Sequence, residues 1–320
     1  MPGHGCVGVH AALDLIGHMN LNLLRLSHES DAIPAEPYES GVIPTAKRNL
    51  RRARRRFSVM VLVAREDDEV GVAVLTLQDP DRNNAWSPEL EREFYAHLAS
   101  LDADPAVRVS IVTGSGRMFC PGASTDRLNH IAEVGLDYSN RIPFTKTLEF
   151  RKPLIAAING GCAGIGFIQA MFCDVRFMSS TAKLTTAFVR RGLPAEHAIS
   201  WLLPRIVGVE HAMDLLLSGR TITAQEALRI GLVSRLAAPE ELLPAAIGYA
   251  HDVAANCAPG AAATIKRQIH DDLGSSYADA LDRAYALTVN ASHGAEFREA
   301  VAAFTAKRPP AFEGLGSDPE

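Results

Sequence analysis

Asn159-Gly160-Gly161-Cys162-Ala163-Gly164-Ile165-Gly166-Phe167-Ile168-Gln169-Ala170-Met171-Phe172-Cys173-Asp174 follows directly on the apolar run Leu154-Ile155-Ala156-Ala157-Ile158. A short apolar run bounded by glycines reads as a buried strand, and the residues after Gly166 carry the apolar spacing of a helix. A strand that empties into a glycine turn and then a helix aims backbone N–H groups at a ligand beyond the strand end. Two readings compete: a phosphate cradle of the dinucleotide type, and an oxyanion hole that polarises a carbonyl from the start of a helix. Spacing argues against the cradle. Gly164-Ile165-Gly166 is followed by Gln169 where the fingerprint wants Gly or Ala, and no acidic residue closes a strand about twenty positions on.

Working outward, Gly71-Val72-Ala73-Val74-Leu75-Thr76-Leu77 reads as a strand stopped by Asp79-Pro80-Asp81. Residues 107–113 read as a second strand and residues 175–178 as one that follows the glycine turn. Ser87-Pro88-Glu89-Leu90 supplies an N-cap, a first-turn proline and an acidic first turn, and Leu90, Phe94, Leu98 and Leu101 then fall at helical spacing. Another helix is expected to open around Pro194, and Thr223-Ala224-Gln225-Glu226 forms a capping box. Residues 239–308 are Ala-rich and read as almost wholly helical. Strands alternating with helices imply α/β layers. No internal repeat is visible in the residues.

Composition bounds the function. The chain has 320 residues, 47% of them apolar, and a net charge of −5, which argues against nucleic acid or a membrane as partner of the whole protein. Five cysteines with no C-x-x-C pair suggest neither a disulfide scaffold nor a metal site. No apolar run approaches the roughly twenty residues that span a bilayer, so a cytoplasmic location is expected. Residues 1–59 lack sustained periodicity, and residues 47–56 concentrate Lys47, Arg48, Arg51, Arg52, Arg54, Arg55 and Arg56, which reads as a disordered basic extension.

Several blocks occur in one unbroken order: Ile111-Val112-Thr113-Gly114, Phe119-Cys120-Pro121-Gly122-Ala123-Ser124, the glycine turn, Gly192-Leu193-Pro194, Leu217-Ser218-Gly219-Arg220-Thr221-Ile222-Thr223-Ala224-Gln225-Glu226-Ala227 and Gly231-Leu232-Val233. Together they resemble the crotonase (enoyl-CoA hydratase/isomerase) superfamily over roughly residues 60–313, and Ala303-Phe304-Thr305-Ala306-Lys307-Arg308-Pro309-Pro310-Ala311-Phe312 is similar to its C-terminal segment. The resemblance implies an α/β fold, a spiral of ββα units over residues 60–250, with a helical C-terminal region over 251–320 that builds a homotrimer or hexamer. It implies an acyl-CoA substrate, with coenzyme A as part of the substrate and no separate cofactor or metal.

The resemblance also assigns candidate site residues. The amides of Ala123 and Ile165 would form the oxyanion hole, with Gly122, Asn84 and Ala85 in loops that meet coenzyme A, and Phe304 and Lys307 reaching it from the C-terminal segment. Hydratases of the family carry two glutamates where this chain has Ile168 and Phe188, and neither of these side chains can move a proton. Glu196 falls where isomerase relatives place a proton-shuttling aspartate, and is the leading acid/base. A helix opening there would favour its ionised form, and an apolar pocket would oppose it. His197 is a second candidate, although adjacent helical residues point about 100° apart. Arg190 and Arg191 read as ion-pair or phosphate contacts, Asp174 as a buried structural carboxylate, and Thr185 and Thr186 as strand residues or substrate hydrogen-bonders. Hydration, double-bond isomerisation, C–C bond hydrolysis and acyl-CoA binding with little catalysis remain open readings.

Overall fold

The computed structural model describes residues 61–139 and 142–316. The basic extension expected over residues 1–59 lies outside the described residues. The chain forms β1 (Val63–Asp67), β2 (Val72–Leu77), α1 (Pro88–Ala103), β3 (Val109–Gly114), β4 (Met118–Cys120), α2 (Thr125–Val134), β5 (Leu154–Ile158), β6 (Gly161–Ala163), α3 (Ile165–Phe172), β7 (Val175–Ser179) and β8 (Lys183–Thr185). There follow α4 (Ile199–Val207), α5 (Val209–Ser218), β9 (Ile222–Thr223), α6 (Ala224–Arg229), β10 (Arg235–Ala237), α7 (Leu242–Asn256), α8 (Pro259–Asp272), α9 (Tyr277–Ser292) and α10 (Ala295–Ala306).

The strands divide between two sheets, one ordered β1-β2-β3-β5-β7-β10 and one ordered β4-β6-β8-β9. Only β1 with β2 and β8 with β9 run antiparallel. Each of the pairs β3/β4, β5/β6 and β7/β8 therefore sends its first strand to the large sheet and its second to the small one before the chain turns into a helix. That is a spiral of ββα units, of which the sequence displays no residue repeat. Alternation explains the layers. Ile155 and Ala157 face a cluster with Ala246, Ala250 and Ala254 of α7, while Leu154, Ala156 and Ile158 face the core shared with the small sheet. α3 is buried on every side, as a helix apolar all round must be.

Local chemistry sets several helix starts. Ser87 Oγ accepts the Leu90 amide at 3.2 Å with Pro88 in the first turn of α1. At α6 only half of the expected capping box forms: Thr223 Oγ1 accepts the Glu226 amide, while the Glu226 carboxylate instead meets Arg220 at 3.0 Å. The helix expected around Pro194 starts only at Ile199. His197 and Ala198 adopt left-handed φ of 51° and 57°, and the Ile199 amide bonds the Glu196 carbonyl at 3.0 Å, so Glu196 lies in a tight turn before the helix. The boundary expected after residue 250 falls inside α7, which packs on the large sheet.

Candidate active site

Two glycine loops meet at the ends of β4 and β6. Gly122 has φ +106°, and a Cβ there would approach the Ala163 carbonyl to 3.2 Å and the Gly164 Cα to 3.8 Å. Gly164, with φ +51°, returns the contact. Both positions favour glycine through their positive φ, and at Gly122 the neighbouring main chain adds a tight approach.

This contact brings two amides together. Trp86 bridges the first loop, donating to the Gly122 carbonyl at 2.8 Å and accepting from the Ser124 amide at 3.2 Å, which turns the intervening Ala123 amide away from that ladder. Ile165 is the first residue of α3, where an amide has no partner inside the helix. Neither amide has a hydrogen-bond acceptor among the described residues. Ala123 and Ile165 line one cavity of about 60 Å³, together with Glu196 and His197 from the turn before α4. Its apolar wall comes from Leu128 and Ile131 of α2, with Phe144, Phe188 and Leu193.

Electrostatics separate the two titratable candidates. Burial raises the Glu196 carboxyl above the ordinary carboxylate range, opposed by the positive charge of Arg127. Its carboxylate has no hydrogen-bond or ion-pair partner among the described residues, and no side chain caps α4. The expectation that a helix start favours ionisation is corrected: Glu196 precedes the helix, and loss of water dominates. His197 is pushed down to about 4 by burial and by Arg127, so it is neutral at physiological pH. Its ring stands edge-on to Phe144 at 4.3 Å and to Tyr138 at 5.8 Å.

The remaining candidates sort by contact. Ile168 is fully buried in the core and does not line the cavity, whereas Phe188 does. Asn84 is also fully buried: Nδ2 donates to the carbonyls of Ser115 at 2.9 Å and Met118 at 2.7 Å, and Oδ1 accepts the Asp79 amide. Its side chain holds the loop and is not presented to a ligand. Ala85 is buried beside it. Thr185 and Thr186 spend their hydroxyls on the carbonyls of Gly219 and Leu215. Asp174 accepts the Leu154 amide at 2.7 Å and pairs with Lys266 at 2.9 Å, a structural carboxylate. Arg190 donates to the Ser218 carbonyl, while Arg191 reaches the cavity rim. Phe304, 87% exposed, and Lys307 lie at the end of α10 and do not line the cavity.

Sequence reasoning missed Arg127, Tyr138 and Phe144. Arg127 follows the Gly122-Ala123-Ser124 turn by one helical turn, a placement that could have flagged it. Phe144 sits in a short 3₁₀ segment with no periodic signature.

A family model described as enoyl-CoA hydratase/isomerase matches residues 67–315. The chain is 35% identical over 247 residues to a putative enoyl-CoA hydratase of Thermus thermophilus, covering 75% of this chain and 97% of that protein. It is 31% identical over 253 residues to a 1,2-epoxyphenylacetyl-CoA isomerase of Escherichia coli, covering 77% and 96%. Among solved structures, a probable enoyl-CoA hydratase/isomerase from Mycobacterium abscessus superposes with a TM-score of 0.73 at 35% identity, covering 79% of this chain and 99% of that one.

Proposed function

Since the chain belongs to the enoyl-CoA hydratase/isomerase (crotonase) family, we propose that it moves protons along an acyl-CoA chain through a thioester enolate, with Glu196 as the single acid/base. One observation carries this reading: two amides and one carboxyl that have no hydrogen-bond partner among the described residues line the same cavity. The thioester oxygen sits between the amides of Ala123 and Ile165. Each such donor contributes several kcal/mol, about 3 to 4 in comparable sites, because it meets charge that develops only as the proton leaves.

Glu196 then takes the α-proton, the C–H electrons pass to the thioester oxygen, and the carboxyl returns the proton at the γ-carbon of an unsaturated chain. Atoms balance without added water, so the reaction is a double-bond shift. Burial that raises the Glu196 carboxyl suits this cycle, since it makes the carboxylate a stronger base for the α-proton than an exposed glutamate. Hydration needs a second carboxylate to activate water, and Ile168 and Phe188 supply none. Neutral His197 serves as a positioning residue whose packing on Phe144 fixes the turn that carries Glu196.

We further propose a homotrimer or hexamer. α9 buries none of its residues, and Tyr277, Tyr285, Val289, Phe297 and Phe304 are at least half exposed, an apolar display that subunit contact would cover. Phe304 and Lys307 would then meet coenzyme A bound to a neighbour. No helix among the described residues is long and apolar enough to cross a membrane.

Purified protein given a 3-enoyl-CoA should form the conjugated 2-enoyl-CoA, read by ultraviolet absorbance, faster than it hydrates crotonyl-CoA. Hydration that outpaces the double-bond shift would overturn the single-carboxyl reading.

A further inference from the structure

Arg127 is an unusual wall for an acyl pocket. Its side chain is 7% exposed, yet it lines the cavity between the apolar residues Leu128 and Phe144. Nη1 donates to Glu91 Oε2 at 2.6 Å, and the same oxygen accepts the Trp86 indole N–H at 3.0 Å. The guanidinium lies 5.5 Å from the Phe144 ring centre. A guanidinium carries five N–H donors. Among the described residues only Nη1 of Arg127 has an acceptor, so Nε and Nη2 are left for whatever fills the cavity.

Arg127 lines the cavity together with Glu196, His197 and Tyr138. Such donors bond water wherever solvent reaches them. A hydrocarbon acyl chain would expel that water and leave buried donors unmet, whereas an oxygen on the chain would accept from them. A site built to bond an oxygen rejects the analogue that lacks it far more strongly than an apolar pocket rejects an extra group.

We propose that Arg127 sets the substrate class: the cavity takes acyl groups that carry a hydrogen-bond-accepting oxygen beyond the thioester, as a carbonyl, hydroxyl or carboxylate, ahead of plain hydrocarbon chains of equal length. This rests on the acyl-CoA reading above, and the test separates the two. Glu91 holds Nη1 of the guanidinium, and the planar fork keeps further donors in fixed positions, which a lysine ammonium cannot reproduce.

Calorimetric titration of the full chain with coenzyme A, butyryl-CoA, acetoacetyl-CoA and succinyl-CoA reads the preference directly. Wild type should bind acetoacetyl-CoA or succinyl-CoA about tenfold or more tightly than butyryl-CoA. In Glu91→Gln with Arg127→Met, which removes both buried charges together, that preference should collapse to about twofold or less while affinity for coenzyme A itself is unchanged. Arg127→Lys keeps a cation beside Glu91 and tests the same point if the double variant does not fold; it too should lose most of the preference. Equal or tighter binding of butyryl-CoA by wild type, or a preference that survives in either folded variant, overturns the assignment. Binding of every thioester without preference removes this inference alone, and binding of none removes the acyl-CoA reading as well.

Discussion

Glu196→Gln separates chemistry from architecture. The substitution keeps the side chain's shape and removes its ability to carry a proton. Glu196 makes no side-chain cap to α4 and has no hydrogen-bond or ion-pair partner among the described residues, so no native contact is lost. Burial raises its carboxyl, which fixes the sign of the stability change. A carboxyl raised in the folded state stabilises below its unfolded pKa, and that contribution is lost as pH rises through the folded value. Glu196→Gln should therefore match wild type at pH 4, below the unfolded value, and melt at or above it at pH 8. Turnover of a 3-enoyl-CoA should fall about 10² to 10⁴-fold, or roughly 3 to 5 kcal/mol in the barrier, with binding nearly unchanged. Single-turnover kinetics beside thermal melts at the two pH values measure both. A melting temperature lowered by about 2 to 4 °C, the mark of roughly 1 kcal/mol in a domain of this size, with turnover within a few-fold of wild type would show that Glu196 is structural.

Gly166 packs α3 against β4: an added Cβ would lie 2.7 Å from the Cys120 Cβ and collide with the Cys120 carbonyl oxygen. Gly166→Ala should thus cost fold stability by about 1–3 kcal/mol in a denaturant melt, and an unchanged midpoint would refute the close packing. Ile168→Glu buries a carboxylate in the core and should destabilise by several kcal/mol without creating hydratase activity. A stable, hydrating variant would show that the position faces the cavity. His197, pushed down to about 4, stabilises above the unfolded pKa near 6.5 and loses that contribution as pH falls. His197→Leu should flatten the stability profile between about pH 6.5 and 4, and an unaltered slope in acid melts would place the titration elsewhere.

Much of this arrangement could be read from residues. Leu154–Ile158 is apolar on both faces because the parallel strand has layers on both sides, so its run announced a buried strand without an alternating pattern. Ser87-Pro88 announced α1 because cap chemistry is local. The small sheet was invisible: β4, β6 and β8 are three residues each, and β9 is two, too short for periodicity to register. The turn at Glu196 was misread as a helix start because its left-handed residues are His197 and Ala198, which announce no such geometry. Asn84 looked like a ligand contact because its loop resembles one, while its burial depends on carbonyls of Ser115 and Met118 that only the fold brings near. Arg127 was missed because a charged residue in a helix reads as solvated until its buried partner Glu91, distant in sequence, is seen.

Hydrogen exchange at the α-carbon tests the central claim without knowledge of the true acyl group. Butyryl-CoA and acetoacetyl-CoA incubated with the protein in deuterium oxide, followed by mass spectrometry, report whether an enolate forms in the cavity. Wild type should place deuterium at the α-carbon of at least one of them well above the uncatalysed rate, and Glu196→Gln should return that rate to background. No exchange by wild type, or equal exchange by Glu196→Gln, would contradict an enolate formed by Glu196 between the amides of Ala123 and Ile165.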